Sequence, residues 1–384
     1  MVPNGWSIKT LEDLAAVERG KFSARPRNDP KYYGGKIPFV QTGDIASAKT
    51  YLSSFSQTLN EDGLKVSRLF PKNSILITIA ANIGDTAITS FEVACPDSLV
   101  GIQPKQDVDC FWLNSFLETC KDELDGKATQ NAQKNINLQV LKPLEILTPP
   151  YEEQRKIAQI LSTWDKAIAT TEKLIDTSKQ QKKALMQQLL TGKKRLVNPE
   201  TGKAFEGEWE KVELGELLDY KQPTPYLVKS TEYSSEYSTP VLTAGKTFIL
   251  GYSNEDFGIF SEELPAIIFD DFTTASKFVD FPFKAKSSAM KILIAKEGVS
   301  IKYVYEAMQV LNYPVGGHQR HWISIFANLV IGLPEPEEQQ KIASVFTAAD
   351  KEIEVLEAKL DHLKDEKKAL MQQLLTGKRR VTLE

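Results

Sequence analysis

The chain has 384 residues, 26% charged and 41% hydrophobic, with a formal net charge of −4 and a pI near 5.7. That composition excludes a disordered or fibrous polymer and leaves room for two to three domains, each with its own core. No apolar run approaches the roughly 18 residues that a membrane span needs. The opening stretch MVPNGWSIKTLEDLA has no basic start followed by an apolar segment, so no secretory signal is expected. Cys95, Cys110 and Cys120 form an odd set without a CxxC, which suits a reducing cytoplasm and argues against a disulfide framework or a zinc ribbon. An acidic pI argues mildly against nucleic acid, but charge acts locally. Arg19, Lys21, Arg25, Arg27, Lys31 and Lys36 fall in one short stretch opposed only by Asp29. Taken singly, that stretch is equally a solvated loop.

Residues 1–150 form a first variable block. Trp6–Ile8, then Leu11 and Leu14, read as a strand leading into a short helix, followed by the basic loop Arg19–Lys36. Ile37–Val40 is a short strand, with Gln41–Asp44 a polar turn after it. Ser74–Ile79 is apolar almost throughout, the pattern of a strand buried on both faces. Ala81–Asp85 is a turn, Ala87–Ser90 and Leu99–Gln103 are strands, and Phe111–Leu124 has helical spacing. Gln130–Asn137 is a polar loop, and Leu138–Leu147 leads back toward the next element.

That element is a long helix over residues 151–192. Ile157, Leu161, Trp164, Ile168, Ile175, Leu185 and Leu189 recur on a 3–4 spacing. Pro149-Pro150 precede it, Glu152-Glu153 place negative charge on its first turn, and Gly192 then Lys193-Lys194-Arg195 follow its end. Thr171, Ser178 and Lys182 interrupt the apolar seam. The seam is either an imperfect coiled coil or one of two antiparallel copies that cover each other's weak stretches.

Residues 193–208, GKKRLVNPETGKAFEGE with its leading glycine, are a polar connector. A second variable block, residues 209–336, repeats the order of elements with little shared sequence. Trp209, Leu214 and Leu217 echo Trp6, Leu11 and Leu14. Pro240–Thr243 followed by Ala244–Lys246 echoes Ile37–Val40 and its turn, and Pro265–Phe269 echoes Ser74–Ile79. Ile292–Ile294 is a strand, Val299–Leu311 a helix, Gly316–His321 a polar loop, and Ile323–Ile331 the return.

Residues 337–378 then form a second long helix that duplicates the first. The segments from Glu152 and Glu337 align without a gap and agree at 25 of 46 positions, with KKALMQQLLTGK unchanged between Lys182–Lys193 and Lys367–Lys378. A repeat this long is not a solenoid period but a duplicated half. The expected fold is therefore α+β: two α/β domains separated by two long helices packed as an antiparallel coiled coil, with a pseudo-twofold internal repeat.

Chemistry is hard to find. His318 and His321 have HxxH spacing but no third ligand nearby, so no metal site is expected. Thr191–Lys194 follows a helix and lacks the earlier glycine of a phosphate loop, and neither GxGxxG nor GxSxG occurs. The methyl-donor loop and the Asn/Asp-Pro-Pro-aromatic tetrad of amino-methyltransferases are absent, because Thr148 precedes Pro149-Pro150-Tyr151. Pro96-Asp97 with Asp125-Gly126-Lys127 formally fits the loose pattern of metal-dependent nucleases. However, Asp125 ends a stretch that reads as helix, and the second half has no counterpart. No catalytic residue is expected.

With two variable blocks and two near-identical long helices, the chain resembles the specificity subunit of type I DNA restriction-modification enzymes. The carriers are PPYEEQRKIA (Pro149–Ala158), PEPEEQQKIA (Pro334–Ala343) and the KKALMQQLLTGK after each. Within the blocks, IPFVQTGD (Ile37–Asp44), Gly84-Asp85-Thr86, FDDFTTASK (Phe269–Lys277) and GHQRHWI (Gly317–Ile323) look like target-recognition sequence. The resemblance implies that each block reads one half of a split double-stranded DNA site and that the helices set the gap. Two modification (M) subunits would supply adenine methylation with its methyl donor. Restriction (R) subunits would supply ATP-driven translocation and Mg-dependent cleavage. The chain itself would be cytoplasmic, without membrane attachment, bound cofactor or metal.

Sequence would be read by polar side chains at base edges, while Lys and Arg on phosphates set register. In the first block the candidates are Lys21, Arg25, Arg27 and Lys31 for phosphate, with Thr42, Asn82, Gln130, Gln133, Lys134 and Asn135 for bases. In the second they are Thr243, Lys246, Thr274, Lys277, His318, Gln319, Arg320 and His321. The alternatives are a cytoplasmic coiled-coil scaffold with no DNA role and a self-contained nuclease resting on Asp97 and Asp125.

Overall fold

The structure, a computed structural model, describes residues 2–128, 134–243, 245, 247–311 and 321–383. The chain divides into two compact units, Met1–Glu172 with Ala358–Glu384, and Lys173–Glu357. The division falls inside the two long helices, Tyr151–Leu189 and Pro336–Leu374, so each helix contributes to both units. Each variable block is thus completed by helix from the far end of the sequence.

In the first unit, a five-stranded sheet runs in the order Ala15–Arg19, Leu99–Pro104, Ile75–Thr78, Thr86–Thr89, Tyr51–Leu52. The Ile75–Thr78 strand is buried on both faces, as its sequence predicts: Ile75 and Ile77 join one apolar cluster and Leu76 another. A four-stranded sheet (Gln57–Leu59, Tyr33–Phe39, Val93–Ala94, Leu69–Phe70) lies beside it in sequence. Ser7–Thr10 pairs antiparallel with Glu145–Thr148, tying the block's two ends together. Two local expectations change. The polar residues after Phe39 start a helix, Thr42–Ser47, because Asp44 accepts from the Gln41 backbone at 2.7 Å and closes a capping box. The stretch 110–126 is two helices, Cys110–Thr119 and Lys121–Gly126, meeting at Cys120.

The second unit repeats this plan. Its four-stranded sheet runs Leu218–Lys221, Met290–Ala295, Ala266–Asp270, Ser276–Val279, and its ends pair as Glu210–Glu213 with Val330–Leu333. A three-stranded sheet holds Ile249–Ser253, Thr239–Leu242 and Lys284–Ala285.

Within each unit the two long helices run antiparallel. In the first, Ile157, Ala158 and Leu161 share a core with Leu374 and Leu375, and Asp165 pairs with Lys367 at 2.5 Å. In the second, Leu189 and Leu190 share a core with Ile342, Ala343 and Phe346, and Lys182 pairs with Asp350 at 2.6 Å. Lys182 and Lys367, which look like defects in an apolar seam, are repeat-equivalent partners of the repeat-equivalent Asp350 and Asp165. In the second unit Lys182 also reaches the fully buried Glu306 at 3.1 Å, which Lys302 holds from the other side at 2.7 Å. The polar positions are paired charges rather than weak packing.

The invariant EEQ start of each rod has a structural cause. Gln154 accepts from the Asp109 N–H at 2.9 Å and donates to the Pro149 carbonyl at 3.0 Å. Gln339 does the same with Ser300 N–H (2.9 Å) and the Pro334 carbonyl (2.8 Å). Asp109 and Ser300 are the N-caps of the block helices Cys110–Thr119 and Ile301–Val310. One glutamine therefore joins the rod to the cap of the block helix, twice over.

Candidate nucleic-acid interface

Both units place a hairpin tip against the segment that returns from the block helix. In the first unit the hairpin is Ile75–Thr78 with Thr86–Thr89, in register Ile75↔Ile88. The turn is closed by Thr78 N–H to Asp85 carbonyl (2.9 Å), Gly84 N–H to Thr78 carbonyl (3.0 Å) and Asp85 N–H to the Thr78 hydroxyl (3.0 Å). Ala81 takes the left-handed conformation, φ 64°, which side chains beyond glycine adopt rarely. The return segment binds to this tip: Ala80 bridges Asn135, and Ile136 N–H donates to the Ile79 carbonyl at 3.0 Å. The fold thus brings exposed Asn82 together with Lys134 and Asn135, whose sequence positions are far apart. Lys134 is held by Asp125 at 2.6 Å, and Lys121 pairs with Asp85 under the turn. Gln130 and Gln133 lie outside the described residues.

The basic loop attaches to the same end of the sheet. Ile79 N–H donates to the Ser98 carbonyl at 3.0 Å, next to Asp97, whose carboxylate takes Arg27 at 2.9 Å and whose carbonyl takes Arg19 at 2.6 Å. Lys21 N–H donates to the Cys95 carbonyl at 3.0 Å. Gly20 is required here, because a Cβ would stand 2.2 Å from the Pro96 carbonyl oxygen. Lys21, Arg25, Arg27 and Lys31 are all exposed. Arg25 donates to the Ala24 carbonyl at 2.7 Å. Tyr32, then Asp29, hold Lys31 above the ordinary lysine range. Thr42 is half-buried at the start of its helix, Thr42–Ser47, which packs against both strands of the hairpin.

In the second unit the hairpin is Ala266–Asp270 with Ser276–Val279. The Asp270 carboxylate accepts from Phe272 N–H (2.8 Å) and Thr273 N–H (3.0 Å), and its carbonyl accepts from Thr274 N–H (2.9 Å). Thr274, φ 61°, is left-handed in this turn, as Ala81 is in the first. Its side chain is buried and its hydroxyl donates to the Thr273 carbonyl at 2.6 Å, while Lys277 is exposed on the outgoing strand. The return segment again meets the tip. Buried Asp271 accepts from Trp322 N–H at 3.0 Å and faces Lys291 at 3.5 Å, and the Trp322 ring packs on Phe269 with centroids 5.4 Å apart. His321 opens the short helix His321–Ser324 beside that anchor. Lys246, His318, Gln319 and Arg320 lie outside the described residues. Thr243 closes its own turn, its hydroxyl donating to the Thr247 carbonyl at 2.6 Å.

Sequence reading missed Asp271 and Phe272. Both stand in FDDFTTASK, where an Asp-Asp pair before an aromatic and two threonines could have flagged an Asx turn with a projecting ring. The two carboxylates weighed as a nuclease pattern are each paired with a cation. Asp97 is engaged by Arg27, and Asp125 sits on a helix engaged by Lys134. Among the described residues no group of three His, Cys, Asp or Glu could hold a metal ion, and no helix is long and apolar enough to cross a membrane.

Comparison with known proteins agrees with this layout. The family described as type I restriction modification DNA specificity domain matches residues 3–179 and again 206–365. The chain is 49% identical over 145 residues to the type I restriction enzyme EcoR124I/EcoR124II specificity subunit of Escherichia coli, a match spanning 36% of this chain and 35% of that protein. It is 22% identical to the type I restriction enzyme MjaVIII specificity subunit of Methanocaldococcus jannaschii over 99% of this chain and 94% of that one. The fold resembles the crystal structure of a type I restriction-modification S subunit from M. genitalium, with TM-score 0.65, 16% identity, and coverage of 100% of this chain and 99% of that one. With the family matched once in each half, on a duplicated block and rod, the chain belongs to the type I restriction-modification DNA specificity family.

Proposed function

We propose that this chain reads a split double-stranded DNA site, one half per unit, on behalf of two modification subunits and the restriction subunits that assemble with it in the cytoplasm. The observation that carries the reading is that in both units a hairpin tip packs against the segment returning from the block helix. In the first unit, exposed cations lie at the same sheet end. Base edges would be met by the tip and return segments, with Asn82, Lys134 and Asn135 in the first unit. Lys21, Arg25, Arg27, Lys31 and Lys277 would meet phosphates. Methyl donor, ATP and Mg would be held by partner subunits. The rods, 39 residues or about 58 Å each, would set the gap between half-sites.

The test is co-expression with the methyltransferase subunit and sequencing of host DNA for methylated adenine. The expected result is a two-part motif with a fixed gap that vanishes when this chain is omitted. Exchange of residues 1–150 for another such block should change one half of the motif only. A complex that forms but leaves no methylated motif, with no salt-sensitive DNA binding, would favour a scaffold and overturn the reading.

A further inference from the structure

The two hairpin tips differ in length and in what they present: eight residues separate the paired Ile77 and Thr86, six separate Phe269 and Ser276. Each carries a non-glycine residue in the left-handed conformation, Ala81 at φ 64° and Thr274 at φ 61°. The first tip presents the small residue Ala81 and the polar Asn82. The second presents Phe272, which is 57% exposed, more than any other large apolar residue among those described. Buried aromatic surface contributes strongly to stability, and a ring left mostly in water contributes less than a buried one.

The backbone that carries the ring is tied into the turn. Asp270 takes both Phe272 N–H (2.8 Å) and Thr273 N–H (3.0 Å), and Asp270 N–H donates to the Ala275 carbonyl at 2.9 Å. The next residue, Asp271, is buried against Lys291 and holds the Trp322 backbone. The backbone on both sides of Phe272 is therefore hydrogen-bonded into the turn. Exposed Lys277 stands on the outgoing strand, where a cation can hold a phosphate beside the ring.

We propose that Phe272 is a wedge that enters a base-pair step in the half-site read by the second unit, partly unstacking it, whereas the first unit's hairpin tip presents Ala81 and Asn82 in its place. An apolar side chain between base steps is a known way to kink a duplex, and only DNA that unstacks easily accepts it, so the residue would add sequence preference at a step it does not hydrogen-bond. This inference rests on the DNA-reading proposal above.

The assembled methyltransferase, with its motif mapped, is bound to duplexes carrying a single fluorescent base analogue at each permitted position except the methylated adenine. With the native chain, one position in or beside the second unit's half-site should brighten about threefold or more on binding, as an unstacked base does. Phe272→Ala should abolish that signal, and Phe272→Trp should keep it. Phe272→Ala should also weaken binding about tenfold, the scale of one lost contact in a specific site. No brightening with the native chain, or brightening unchanged in Phe272→Ala, overturns the wedge while a mapped split motif leaves the reading standing. Absence of any motif takes down both.

Discussion

Trp6 donates its indole N–H to Glu153 at 3.0 Å, and Trp209 donates to Glu338 at 3.1 Å. The tryptophans open the two variable blocks and the glutamates open the two rods. Each carboxylate is buried and also takes an arginine from just past the end of the other rod: Arg380 on Glu153, and Arg195 on Glu338 at 2.7 and 2.6 Å. Each arginine lies over the indole as well, 5.6 Å from Trp6 and 5.5 Å from Trp209. Block start, rod start and rod end meet at one carboxylate in each unit.

Removing that carboxylate leaves a guanidinium and an indole N–H without their partner. Glu338→Ala is expected to destabilise its unit by about 3–5 kcal/mol, the range for breaking a buried pair. Glu153→Ala should cost less, because Arg380 is 40% exposed against 21% for Arg195 and water can replace part of the loss. Urea unfolding of the full chain and its two variants measures both.

Gln154→Ala and Gln339→Ala each orphan one backbone N–H and one carbonyl in a buried joint. Each should lower stability by about 1–3 kcal/mol per group left unpaired. Gln→Glu should fail to restore it, because a carboxylate cannot donate to Pro149 or Pro334. Equal losses at the two sites would support the equivalence of the joints; a loss at one site alone would refute it.

Gly192 and Gly377 both sit past a rod end with positive φ, 69° and 67°. Alanine in that conformation costs about 1–2 kcal/mol. At Gly192 the new Cβ would only touch the Trp209 ring at 3.8 Å, whereas at Gly377 it would stand 2.4 Å from Pro3 and 3.2 Å from Trp6. Gly377→Ala should therefore lower the melting temperature more than Gly192→Ala, although the local sequence is nearly the same.

Glu118 is half-buried near Asp165 and Lys367. Burial pushes its carboxyl up, Lys367 opposes, Asp165 adds to the rise, and the hydrogen bond from Asn114 opposes again, leaving it above its ordinary value of 4.5. A raised folded-state value means a contribution that is present below about 4.3–4.5 and lost as pH rises through the folded value. Asp350 is the opposite case. Burial pushes it up but is outweighed by hydrogen bonds from Lys182 and Lys302, so it lies below 3.8, and its contribution is lost as pH falls through that depressed value. Glu118→Gln should leave stability near pH 4 little changed and raise it at pH 8. Melting curves at the two pH values check this, and an equal shift at both would refute it.

Much of this architecture was legible locally. The rods follow from a 3–4 apolar spacing that any window of the sequence carries, and the duplication from a direct comparison of two segments. Ile75–Thr78 was legible as a doubly buried strand because continuous apolar character has few other uses in so short a run. Turn chemistry was less legible. Thr42–Ser47 depends on one capping carboxylate, Asp44, and the positive φ of Ala81 and Thr274 depends on what surrounds the tips.

Long-range pairing lay beyond local pattern. Lys182 and Lys367 read as interruptions until the chain turns back and sets Asp350 and Asp165 against them. Asn82 and Asn135 read as scattered polar residues until a bridge at Ala80 brings their segments together. Residue type and spacing record what a segment requires, an apolar face or a cap. Which distant segment supplies it is settled when the chain closes its loops and buried charges take the partners within reach.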